Sequence, residues 1–176
     1  MSVKMFKYFK KSYPAKFSDD SITSHPIFAG LSPSKFSDLE PWFQEQSYPA
    51  GADFNISNPD NALFAIVKSG VIQVHEKLCK AKMENTFSIR RGQSFGEHNL
   101  VDPGFSILAC RVIEHAELLI LRYKEFQEMT RKNSHTVNRF YLNLSNIISD
   151  RLVELDNEYI TLYCNNIIEA EGKQQK

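Results

Sequence analysis

The sequence lacks an excess of either charge: 21 lysines and arginines balance 21 aspartates and glutamates over 176 residues. No global field draws it to nucleic acid or to an anionic membrane, so any such attraction has to be local. Cysteine is scarce. Cys79, Cys110 and Cys164 are odd in number, far apart and without Cys-x-x-Cys spacing, which argues against a disulfide framework or a zinc site and predicts reduced thiols in a cytoplasmic protein. No apolar run approaches the roughly 18 residues of a membrane span, and the N-terminus has no apolar signal-peptide core. His25, His75, His98, His115 and His135 fall without metal-ligand spacing, and no Ser-His-acid or Cys-His grouping accompanies them. The expectation is a non-enzymatic protein with no catalytic residue, metal or cofactor. The length suits one domain with a core, and is too short for two.

What is present centres on Arg91-Gly92-Gln93-Ser94-Phe95-Gly96-Glu97, followed by a short helical segment, His98 to Asp102, and a Pro103-Gly104 break. Two glycines four apart, with an aromatic between them and a carboxylate after the second, describe a tight backbone approach that opens into a helix start. Free N–H groups at such a start suit an anion, and the carboxylate beside them can accept hydrogen bonds from sugar hydroxyls.

Before this motif the chain changes texture twice. Residues 1–24 form a basic arm: Lys4, Lys7, Lys10, Lys11 and Lys16 interleave with Met5, Phe6, Phe9 and Tyr13 at helical spacing. Residues 1–16 are therefore candidates for weak membrane-surface contact, or for a solvated extension that packs one or two aromatics on the domain. Ser32-Pro33 supplies a helix start, and Lys35 to Gln46 reads as a short amphipathic helix with Phe36, Leu39, Trp42 and Phe43 on one face. From Ala62 onward, short apolar runs alternate with polar positions: 63–67, 70–74, 87–90, 108–113 and 118–121. Punctuated by glycines at 51, 70, 92 and 96, these strands predict an antiparallel β-roll or jelly roll.

After Leu121 the helical period returns. Tyr123 to Thr130 reads as one helix and Ser134 to about Ile168 as a long one. Along the latter, Val137, Tyr141, Leu144, Ile148, Leu152, Leu155, Tyr159 and Leu162 form a near-heptad seam with one stutter. A roll of this size cannot cover so long a seam, so a homodimer through this helix is expected, with a fold-back onto the chain's own roll as the alternative. The domain plan is an arm at 1–24, a roll with flanking helices at 25–126, a long C-terminal dimerisation helix at 127–168 and a polar tail at 169–176. The fold class is α+β.

From His25 to about Tyr163 the chain resembles the cyclic-nucleotide-binding domain of the bacterial catabolite activator protein family and of cyclic-AMP-dependent kinase regulatory subunits. The matching pieces, in order, are residues 26–32, the Tyr48-Pro49-Ala50-Gly51 turn, residues 62–74, Gly92-Gln93-Ser94-Phe95-Gly96-Glu97, Glu117 to Leu121, and Glu125-Phe126 leading into the long helix. The resemblance implies a phosphate-binding cassette in which Glu97 takes a ribose 2′-hydroxyl beside Gly96 and the following N–H groups take phosphate oxygens. A family arginine in a Pro-Arg-x-Ala-Thr sequence neutralises the cyclic phosphate. Here that stretch reads Phe105-Ser106-Ile107-Leu108-Ala109, so Ser106 stands in place of the arginine and Ala109 in place of the threonine.

A guanidinium facing a phosphate supplies charge-assisted bonds of about 1.5–3 kcal/mol each, which a serine cannot match. In the strand around it, Leu108, Cys110 and Val112 share one face, so Arg111 points to the other, toward solvent. Arg90 and Arg91 are candidates to supply the missing charge, His98 and Asn99 stand over the phosphate position, and Asn99 can fill the site itself. Two readings follow. One is a scaffold or regulatory module, acting through dimerisation and protein partners, that has lost cyclic nucleotide binding. The other is a genuine sensor of cyclic AMP, cyclic GMP or another nucleotide, using Gly96, Glu97 and the cassette amides with charge from Arg90, Arg91 or His98. Glu97 also has a purely structural role open to it, as a helix cap or in a salt bridge to one of those arginines. Sequence-specific DNA binding is not expected, because the chain stops about where a helix-turn-helix would begin and only the lysine arm remains.

Overall fold

The computed structural model describes residues 16, 19–56, 59–78, 83–103, 108–132 and 134–174. The basic arm before Lys16, and Ser106 with its neighbours, lie outside the described residues. Lys16 itself donates from Nζ to the backbone oxygens of Glu40 (3.0 Å) and Phe43 (2.9 Å).

Six strands, all antiparallel, make the roll: β1 (Gln44–Tyr48), β2 (Asp53–Asn55), β3 (Leu63–Leu78), β4 (Met83–Arg90), β5 (Ser94–Phe95) and β6 (Leu108–Arg122). The order is β1-β6-β3-β4, with β2 pairing β6 and β5 pairing β3. Among the described residues four α-helices flank it: α1 (Asp20–Thr23), α2 (Phe36–Leu39), α3 (Tyr123–Arg131) and α4 (His135–Gln174). The α+β roll with a long C-terminal helix is thus the observed architecture.

Four expected elements differ in extent. The helix expected over 35–46 is a 3-10 turn at Pro33–Lys35, the single turn of α2 and a second 3-10 turn at Glu40–Trp42. Pro41 supplies no N–H to continue a helix, and Gln44 to Tyr48 instead pair as β1 with Ile120 to Ala116 of β6. The runs 63–67 and 70–74 are one strand, because Gly70 at φ +83° forms a bulge and does not end it. A side chain there would stand 2.2 Å from the His115 carbonyl oxygen. Likewise 108–113 and 118–121 are one strand, β6. The long helix begins at His135, since α3 occupies 123–131, and its backbone runs to Gln174, through most of the range expected to be a tail.

Two apolar clusters sit on either side of the sheet. Inside the roll, Val67, Ile72, Val74, Phe95, Cys110, Val112 and Ile120 pack together with their neighbours. On the outer side, Ile27, Phe28, Phe36, Leu39 and Phe43 meet Phe126, Met129 and the first turns of α4 through Val137, Phe140 and Leu144. This second cluster fixes where α4 starts. Asn143 completes the attachment, donating from Nδ2 to the carbonyls of Ile27 and Ala29, both at 2.9 Å.

Candidate functional site

The motif 91–97 folds as a turn, the short strand β5 and a 3-10 turn at Glu97–Leu100. Phe95 and Ser94 pair with Ala65 and Ile66 of β3, and Phe95 is buried inside the roll. Gly96 adopts φ +80°, and a Cβ on it would lie 2.2 Å from the Leu63 carbonyl oxygen. Only glycine lets the chain turn this close to β3. The 3-10 turn then delivers Glu97 inward, 1% exposed.

A buried carboxylate needs partners, and Glu97 has three groups around it. The Ser94 hydroxyl donates to Oε1 in a short bond. Arg151 of α4 donates from Nη2 to the same oxygen at 2.9 Å and to the Ser94 carbonyl at 3.0 Å. Its Nη1 stands 2.8 Å from Oε2, an ion-pair contact off the line of a hydrogen bond. His25 extends the chain. Its Nδ1 accepts from the Ile27 N–H at 3.2 Å, so the proton sits on Nε2, which donates to Ser94 Oγ at 2.9 Å. Burial, with the Arg151 charge nearby, pushes the His25 imidazole down from the ordinary 6.5 to about 4, so it is neutral at neutral pH.

The remaining candidates are placed as follows. Asn99 is fully buried and donates from Nδ2 to the Leu63 carbonyl at 3.0 Å, so it braces β3. His98 is half-buried in the same turn. Arg91 pairs with Asp19 at 2.9 Å on the surface, and Arg90 ends β4 with an exposed side chain. The salt bridge anticipated between Glu97 and one of these arginines forms with Arg151 instead. Ala109 lies on β6 opposite His75, beside a cavity of about 210 Å³ lined by Asp53, Phe54, His75 and Cys110, apart from the cassette's register at Ala65 and Ile66. Arg111 is exposed as expected, in a two-point pair with Asp53 at 2.8 and 2.9 Å.

Sequence reasoning missed Arg151, and a signal was available. Phe140, Leu144, Ile147 and Arg151 lie at helical spacing along one row of α4, and all but the last face the core. An arginine on the row that packs against the roll can lay its stem on apolar surface and still reach a carboxylate with its head group. A cavity of about 280 Å³ adjoins it, bounded by His25, Pro26, Ile89, Gly92, Gln93, Ser94, Ile147 and Arg151.

Along the expected dimer seam the environment changes. Leu144 is fully buried in the chain's own core and Ile148 packs at its edge, while Tyr141, 46% exposed, stacks on Phe126 with ring centres 5.8 Å apart. Leu152, Leu155, Tyr159 and Leu162 are exposed.

Comparison with known proteins agrees with the fold. The cyclic AMP receptor protein of Thermus thermophilus is 25% identical over 133 residues, which is 76% of this chain and 60% of that protein. The crystal structure of the Thermus thermophilus catabolite activator protein superposes with a TM-score of 0.66 at 26% identity, covering 78% of this chain and 62% of that one. The fold is that of a cyclic-nucleotide-binding domain. A cyclic-nucleotide-binding domain from Methylobacillus flagellatus KT has the same fold, with a TM-score of 0.65 at 15% identity over 76% of this chain and 78% of its own. No protein-family model matches the chain. The chain spans about three-fifths of the length of the Thermus relatives. Within a cyclic-nucleotide-binding fold, the carboxylate expected at a ribose is here held by serine and arginine. No described helix is long and apolar enough to cross a membrane.

Proposed function

We propose that this chain is a non-catalytic regulatory module of the cytoplasm, built on a cyclic-nucleotide-binding fold that has given up cyclic nucleotide binding and acts through a second copy of itself and a protein partner. The observation that carries this reading is the state of Glu97: buried, and paired with Ser94 and Arg151. Ser106 at the arginine position supports it, because a serine does not offset the desolvation of a phosphate as the arginine of the resembled family does. The exposed apolar residues Leu152, Leu155, Tyr159 and Leu162 support pairing through α4, since each such side chain gains about 1.5–3 kcal/mol when fully covered.

Isothermal titration with cyclic AMP, cyclic GMP and cyclic di-GMP tests the ligand half, with Ser106→Arg measured beside the native chain. The native chain is expected to be silent at micromolar concentrations, and micromolar binding by it overturns the reading. Sedimentation at micromolar concentration tests the pairing, for which a monomer is the contrary result. The sensor reading rests on a specific observation too: Gly96 at φ +80° and the turn at Glu97–Leu100 keep the cassette's shape. It becomes the better one if the native chain binds.

A further inference from the structure

Arg151 is the last residue of α4 with a hydrogen bond or ion pair to the roll among the described residues. The side chains from Leu152 to Asn165 are all exposed, so the helix leaves the roll where its arginine enters the cassette. One carboxylate therefore gathers four parts of the molecule. His25 belongs to the N-terminal segment, Ser94 to β5, Glu97 to the cassette turn and Arg151 to α4, linked by the bonds His25 Nε2 to Ser94 Oγ, Ser94 Oγ to Glu97, and Arg151 to both Glu97 and the Ser94 carbonyl.

Glu97 is 1% exposed, while the Arg151 side chain is 44% exposed. The asymmetry decides which partner needs the other. Removing Arg151 strands a negative charge inside the protein, whereas Arg151 without Glu97 is free to turn to water.

We propose that Arg151 is an internal latch. Occupying the cassette carboxylate, it fixes α4 against the roll with no small molecule required, and any group that draws Glu97 away from it unfixes the helix from the cassette onward. The inference deepens the regulatory reading above and rests on it for its biological meaning, but its physical content is independent of any ligand.

Hydrogen exchange measured by mass spectrometry on the full chain tests it, at one protein concentration throughout, with the native chain, Arg151→Gln, Glu97→Gln and the double variant. The segments read are 93–100, in the cassette, and 145–156, on α4. The latch predicts that each single variant speeds exchange in both segments at least tenfold, and that the double variant is no faster than the faster single one. Faster exchange in 93–100 with 145–156 unchanged, or two effects that multiply in the double variant, overturns it. Should Arg151→Gln fail to fold, Arg151→Lys keeps the charge and loses the forked contact, and the same pair of segments must loosen together by a smaller factor. Loosening of the cassette alone in Arg151→Lys also overturns the latch. A titration that finds nucleotide binding would defeat the disarmed-cassette reading and leave this exchange result standing on its own.

Discussion

The two parts of α4 on either side of Arg151 carry similar apolar side chains at one continuous spacing and meet different surroundings. Before it, Val137, Phe140 and Leu144 are buried against Phe28, Phe43 and Phe126. After it, Leu152, Leu155, Tyr159 and Leu162 are 58–69% exposed. Helical periodicity records that a face is apolar and is silent about what covers it. The cover of the first part comes from the 3-10 turns and α2 between residues 26 and 43 together with Phe126 and Met129 of α3, and those run out before the second part begins.

The largest expected effect tests the covered part. Phe140→Ala empties the centre of the outer cluster, and urea unfolding is expected to show a loss of about 3–5 kcal/mol. A loss below about 1 kcal/mol would mean that the first turns of α4 are not held as described.

The attachment point next to Arg151 is expected to respond to acid. The folded pKa of His25, about 4, lies below its ordinary value of 6.5, so the unfolded chain binds the extra proton first as the pH falls. The stabilisation is full above about pH 6.5, is lost progressively down to about pH 4 and is flat below, amounting to about 3 kcal/mol. Comparing the stability-versus-pH curves of the native chain and His25→Gln isolates this component. Parallel curves across that window would show that the imidazole is not held neutral.

A third change sharpens the boundary on the covered side. Asn143→Leu leaves the Ile27 and Ala29 carbonyls without their donor, and a loss of about 1–3 kcal/mol is expected in the same unfolding assay. The smallest effect belongs to the uncovered part. Leu155→Ala is expected to change the stability of the isolated monomer by no more than about 0.5 kcal/mol while shifting sedimentation toward that monomer. A core-sized loss in the monomer would place Leu155 under the chain's own roll and erase the contrast between the two parts.

The roll was legible in the sequence where its residues alternate. Residues 71–74 and 110–113 alternate because one face packs inside, 63–67 and 118–121 are continuous apolar runs because both faces are covered, and the order of the glycine turns carried the resemblance. The joins were less legible. Gly70 reads as a stop, yet its positive φ makes a bulge within one long strand, and Phe43 reads as the last apolar residue of a helix, yet Pro41 has already ended it. At the site, Gly96 and Glu97 were visible because local geometry dictates them. Arg151 was not, because the carboxylate it serves lies far back in the chain and the residue itself resembles the polar boundary of an apolar row.

The backbone of α4 continues as helix from Leu152 to Gln174, roughly 35 Å at about 1.5 Å per residue. An arm of that length multiplies angle into distance. A tilt of only about 5° at the cassette would carry the far end sideways by about 3 Å, close to the width of a side-chain contact. The cassette turn therefore has no need to move far for a surface at the tip to gain or lose its fit.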